Sequence, residues 1–89
     1  MSSPQDTIAA LCTPPGEAGL AVIRVSGPQA FAVTDRCFEP LGRAHRKPSD
    51  CPSHRLLYGR IVHDGRTADE VLVAVFRKPH SYTGEDTVE

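Results

Sequence analysis

Arg24 interrupts LAVIRV, residues 20–25, an otherwise apolar run. A guanidinium in such a strand needs a carboxylate or a polar ligand to offset its desolvation. One reading pairs it with an acid of this chain, and the other gives it a ligand to hold. The second suggestive stretch is SYTGEDTVE, residues 81–89, which carries Glu85, Asp86 and Glu89. If extended geometry begins at Glu85, then Glu85, Thr87 and Glu89 share one face and Asp86 and Val88 the other. A carboxylate on a pocket-facing strand can accept two parallel N–H bonds from a heteroaromatic ring. The alternative is an exposed acidic terminus, which residue chemistry alone favours by default.

Other chemistries find less support. No Gly-x-x-x-x-Gly-Lys-Ser/Thr run is present, so these residues hold no nucleotide phosphate loop. The glycines of PGEAG, residues 15–19, read as turn residues beside an acid. His45, His54, His63 and His80 include no i, i+4 pair, and Cys12, Cys37 and Cys51 form no Cys-x-x-Cys. Neither set has metal-ligand spacing, and the cysteines read as reduced thiols. Ser26 and Ser81 lie in no Gly-x-Ser-x-Gly setting. The basic run RAHRK, residues 43–47, together with Arg55, Arg60, Arg77 and Lys78, offers either an RNA-backbone contact or a solvated cationic loop. No aromatic residue is interleaved with it, which favours the solvated loop.

The elements that must position these residues follow from periodicity and punctuation. Residues 7–11 and 20–25 read as strands, separated by the Pro14-Pro15-Gly16 turn. Ser26-Gly27-Pro28 is a helix-start signal with Pro28 at the first helical position. A helix over residues 29–38 then offers one row of Ala30, Val33 and Cys37 and an adjacent row of Phe31, Thr34 and Phe38. Residues 40–52 form a loop, mobile unless something holds it. Residues 54–62 and 70–76 are the clearest strands, and Asp64-Gly65 between them favours a type I′ hairpin turn. Val71, Val73 and Val75 alternate with Leu72, Ala74 and Phe76, so both faces of that strand are apolar. Such a strand is central, or its outer face is covered by another chain or domain. With a last strand near Glu85, the order β-β-α-β-β-β defines an α+β fold with a mainly antiparallel sheet and one packed helix.

The chain has 89 residues, 39% hydrophobic, with no Trp and a formal net charge of −1. A domain of this size buries about 60–65% of its unfolded surface, which favours docking or oligomerisation as further burial. The charge gives no global pull toward nucleic acid or anionic lipid. No secretory or membrane-spanning run is present, and a cytoplasmic location is expected.

The segments DTIAALCTPPGEAGLAVIRVSGPQA (6–30), HRLLYGRIVHDG (54–65) and ADEVLVAVFRKPHSYTGEDTVE (68–89), in that order, resemble the N-terminal domain of the MnmE (TrmE) family of tRNA-modification GTPases. TPPG, a strand ending R-x-S-G, and S-Y-T-G-E-D are the specific parts. The resemblance implies a fold like half of the glycine-cleavage aminomethyltransferase, and a domain that forms a homodimer and binds 5-formyl- or 5,10-methylene-tetrahydrofolate near the dimer interface. By position, the family's folate-binding arginine falls on Arg24 and its folate-binding glutamate on Glu89. It further implies that residues 1–89 are a fragment of that domain. A following strand with a His-Gly-Gly turn, a helical domain and a GTPase domain using GTP, Mg and K would lie outside it. Together with the FAD-containing partner MnmG (GidA), such proteins modify carbon 5 of the wobble uridine of certain tRNAs. The alternative is mainly an assembly module, with ligand binding dependent on residues beyond this stretch.

Overall fold

The computed structural model describes residues 6–17, 19–43, 45–81 and 83–89. In chain order the elements are β1 (Ile8–Leu11), β2 (Ile23–Ser26), helix α1 (Ala30–Cys37), β3 (Phe38–Pro40), a single 3₁₀ turn (Pro48–Asp50), β4 (Arg55–His63), β5 (Arg66–Phe76) and β6 (Thr87–Val88). The six strands form one sheet in the order β1-β2-β6-β5-β4-β3. Every neighbouring pair is antiparallel, giving the α+β fold expected from the sequence.

The sheet is built outward from the β4–β5 hairpin. Asp64 and Gly65 both have positive φ, 51° and 74°, as a type I′ turn requires. The pairing runs from His63↔Arg66 to Arg55↔Val75, with a register shift where Val62 meets Thr67 but Ile61 meets Asp69. β5 therefore begins at Arg66 rather than Glu70, because cross-strand hydrogen bonding carries a polar stretch that has no apolar alternation. β5 is central, flanked by β4 and β6.

Alternation then assigns the faces. Val73, Val75, Val88 and Leu57 point to the helix side and meet Ala30, Phe31, Phe38 and Cys51. Val25, Ile61 and Val71 pack against the rim of this core. Each of the fully buried valine, leucine and phenylalanine side chains contributes about 1.5–3 kcal/mol of transfer free energy. Phe38 closes over Gly59, where a Cβ would collide with its ring and with the Glu39 carbonyl.

Three local expectations are corrected. The helix starts at Ala30, after Gln29, not at Pro28. Gly27 instead adopts φ 136° in a tight turn against Asp6 and Thr7, its carbonyl accepts from Ala30 N–H, and Thr7 Oγ1 accepts from Gln29 N–H. The buried helix row is Ala30, Phe31 and Thr34, while Val33 is 40% exposed. Phe38 leaves the helix to open β3, so the chain from Phe38 to Pro40 is strand, where the sequence suggests helix end and loop.

The 40–52 segment is held at several points. Lys47 Nζ donates to Asp35 O, and Ser49 N–H donates to Asp35 Oδ1. Arg77 donates to the carbonyls of Ser49 and Cys51 and lies 4.6 Å from the centroid of the Phe31 ring. Arg77 is thereby committed to the fold through charge-assisted bonds and a cation–π contact, not to an RNA backbone. No helix among the described residues is long and apolar enough to cross a membrane.

Candidate functional site

The helix covers one face of the sheet; the candidate site lies on the other. Register places Ala10, Arg24, Glu89, Ala74 and Leu56 in a single row across five strands. Ala10 pairs with Arg24, and Leu56 with Ala74. Glu89 continues β6 by exchanging both backbone bonds with Ala74, at 2.7 and 2.9 Å. Because Val25↔Val88 points to the helix, Arg24 and Glu89 point away from it.

Arg24 and Glu89 engage each other. Arg24 Nε donates to Glu89 Oε2 at 2.7 Å, and an Arg24 Nη lies 2.5 Å from the same oxygen. The two side chains are 34% and 21% exposed, so the pair is shielded yet reachable from solvent. Of the sequence alternatives for Arg24, the structure supplies an acid of its own chain, Glu89, as a partner. The geometry still leaves Glu89 Oε1 without a hydrogen-bond partner among the described residues. Arg24 thus fixes the carboxylate with one oxygen and leaves the other to accept.

Beside this row lies a second one: Ile8, Ser26, Thr87 and Phe76. Ser26 Oγ donates to Glu85 Oε2 at 3.1 Å and lies 2.9 Å from Thr83 Oγ1 and 3.4 Å from Thr87 Oγ1. Thr83 and Thr87 hydroxyls are 3.0 Å apart, and Ser81 Oγ donates to Glu85 O. Asp86 turns the other way, accepting Lys78 N–H, while Gly27 N–H reaches its carbonyl. Glu85, Thr87 and Glu89 therefore share a face, as alternation requires. The hydroxyl cluster staples the TGED turn to β2 and so sets where Glu89 sits. Residue types alone did not single out Ser26, Thr83 or Thr87; the available signal is that Ser26 and Thr87 share strand parity with Arg24 and Glu89.

The middle of this face is apolar and uncovered. Leu72 and Phe76 flank Ala74 two residues away on the same side, and Tyr58 pairs with Leu72. Leu56 is 66% and Leu72 63% exposed. A shallow cleft of about 420 Å³ lined by His54, Phe76, Pro79, His80 and Ser81 closes one end. At the other end Arg60 pairs with Glu39 at 2.6 Å, and that hydrogen bond raises the arginine's pKa further. Tyr58 donates to Glu70 at 2.8 Å, and this carboxylate likewise raises the phenol's pKa above its ordinary value. Among the described residues, no group of three histidine, cysteine or acidic side chains converges as a metal site would require.

Fold and face together define a small one-sided α+β module, with a fixed carboxylate and hydroxyls set in an exposed apolar sheet. Sequence comparison places it more narrowly: the chain belongs to the family described as the N-terminus of the GTP-binding protein TrmE, whose model matches residues 7–89. It is 54% identical over 84 residues to a tRNA modification GTPase MnmE of Parabacteroides distasonis, an alignment covering 93% of this chain. The corresponding protein of Carboxydothermus hydrogenoformans is 52% identical over 87 residues, covering 96% of the chain. That of Listeria welshimeri is 48% identical over 84 residues, covering 94%. In each case the match spans 18% of the relative's length.

Proposed function

We propose that residues 1–89 belong to the tetrahydrofolate-binding, dimer-forming N-terminal domain of a GTPase that modifies the wobble uridine of tRNA together with an FAD-containing partner of the MnmG type. On this reading, GTP and its Mg and K ions belong to a separate domain of the longer protein. What carries the reading is the Arg24–Glu89 pair on the uncovered face. The donor chemistry fits a reduced pterin. Such a ring presents adjacent N–H groups on one edge and flat apolar faces, and Glu89 Oε1 is an acceptor beside Ala74, Leu72 and Phe76. Arg24, whose Nε and one Nη address Glu89, acts mainly by orienting the carboxylate.

The test is calorimetric titration of the full-length protein with 5-formyltetrahydrofolate. Glu89→Ala is expected to abolish measurable binding, and Arg24→Ala to weaken it at least tenfold. Unchanged affinity in both variants overturns the assignment.

A second reading, a mainly assembling surface, rests on a separate observation: Leu56, Leu72 and Tyr58 are exposed side by side. Under that reading both variants keep their oligomeric state, and folate affinity responds only to residues outside this stretch.

A further inference from the structure

The open sheet face ends at the β3–β4 edge in a second cleft, of about 230 Å³, lined by Pro40, Gly42, Arg43, His45, Arg46, Leu56, Leu57 and Tyr58. We propose that this cleft is a contact site for a nucleic-acid strand, with Arg43 and Arg46 on successive phosphates and the Tyr58 ring under a base.

The geometry begins with the turn that follows β3. Leu41 N–H donates to Tyr58 O, continuing the β3–β4 pairing, and His45 N–H closes back on Gly42 O. This turn puts the two arginines of the 43–46 stretch along one rim of the cleft. Arg43, His45 and Arg46 are all exposed, and neither arginine enters an ion pair among the described residues. No acid occurs between Glu39 and Asp50 in the sequence. The acids that β3 and β5 place on this face beside β4 are already engaged, Glu39 with Arg60 and Glu70 with the Tyr58 hydroxyl. The cleft is therefore locally cationic in a chain of net charge −1.

The opposite wall decides the class of partner. Within 43–47 no aromatic residue is interleaved, but the fold brings Tyr58 to the same cleft from β4, 46% exposed, with Leu56 beside it. Cations on one rim and a ring held by its own hydroxyl on the other match a phosphodiester chain carrying planar bases. An acidic peptide would satisfy the arginines and leave the ring without a matching planar group. This inference uses none of Arg24, Glu89 or the hydroxyl cluster, but it shares Leu56 and Tyr58 with the assembling surface, so a nucleic-acid strand and a second copy would compete for that wall.

The experiment is fluorescence anisotropy of the purified chain with a labelled oligoribonucleotide of about 12 nucleotides, across a KCl series. Arg43→Gln with Arg46→Gln is expected to weaken binding at least tenfold at low salt. It should also reduce the slope of log K against log salt by about 1.5, the share of two phosphate contacts. Tyr58→Leu is expected to weaken binding about fivefold or more with the slope unchanged, and Tyr58→Phe to retain it. Arg66→Gln, at the hairpin tip roughly 20 Å or more away along β4, removes a like charge and should change little. All four positions are exposed, so circular dichroism of each variant should match the parent. Unchanged affinity and slope in the double arginine variant overturns the site. Heparin binding as tightly as RNA, with no response to Tyr58→Leu on either ligand, overturns the nucleic-acid assignment.

Discussion

At the scale of single residues, the site depends on a division of labour between partners that look alike in sequence. Arg24 and Arg60 each meet a glutamate across neighbouring strands, Glu89 and Glu39, at similar distances. Only the first pair lies among hydroxyls and apolar side chains near the sheet centre. Because both partners of that pair are partly solvated, breaking it costs little stability, on the order of 1 kcal/mol or less. Arg24→Ala should therefore leave the urea midpoint nearly unchanged while weakening folate binding; a large midpoint shift would instead make the pair chiefly structural. Tyr58 gives a separate expectation in pH. Its phenol pKa is raised above 10.0 in the folded chain by the Glu70 hydrogen bond. The stability contributed by the protonated, donating phenol is fully present below the unfolded value of about 10, and is lost as pH rises through the higher folded value. Alkaline unfolding curves should thus show a decline above pH 10 that Tyr58→Phe shallows. Identical curves for the two chains would remove the linkage.

At the scale of elements, two glycines mark where backbones and side chains touch too closely for any other residue. Gly59→Ala would drive a methyl into the Phe38 ring and the Glu39 carbonyl, so the β3 edge must shift. The expected cost is about 1–3 kcal/mol by urea titration, the usual penalty for overpacking. An unaffected midpoint would mean that β3 moves freely. The same contacts explain what could be foreseen and what could not. The hairpin was legible, because Asp64-Gly65 and the alternation of β4 are local signals. So was the parity of Glu85, Thr87 and Glu89, which needs only the period of a strand. β3 was not legible: Phe38 continues a helical row in sequence, and only the space above Gly59 makes it a strand residue. Nor was the order of the 40–52 loop, since its anchors, Asp35 and Arg77, lie at remote positions in the chain. Arg24 itself was visible as an anomaly, but its partner came from pairing β2 with β6, a contact spanning 65 residues of sequence.

At the scale of the whole molecule, the sheet has two unequal faces. One is closed by α1; the other carries the ion pair, the hydroxyl cluster and a row of uncovered leucines. The alternating Val71–Phe76 pattern of β5 is explained on the helix side by the core and along both edges by its central place. Leu72 on the outer side has neither explanation, and Leu56 beside it is equally bare. Exposed leucines at the centre of a sheet that also holds the proposed ligand carboxylate are what a dimer interface next to a pterin site would present. Leu56→Lys together with Leu72→Glu tests this without touching the core. Both side chains are more than 60% exposed in the single chain, so the monomer should lose at most about 0.5 kcal/mol. Sedimentation velocity across a concentration series should show the parent associating to a dimer and the double variant remaining a monomer of unchanged helix and strand content. If the parent stays monomeric at the highest concentration, self-association does not cover this face. If the double variant still dimerises, its partner docks elsewhere, and the edge strand β1, where Ile8 and Leu11 are also half exposed, is the next surface to substitute.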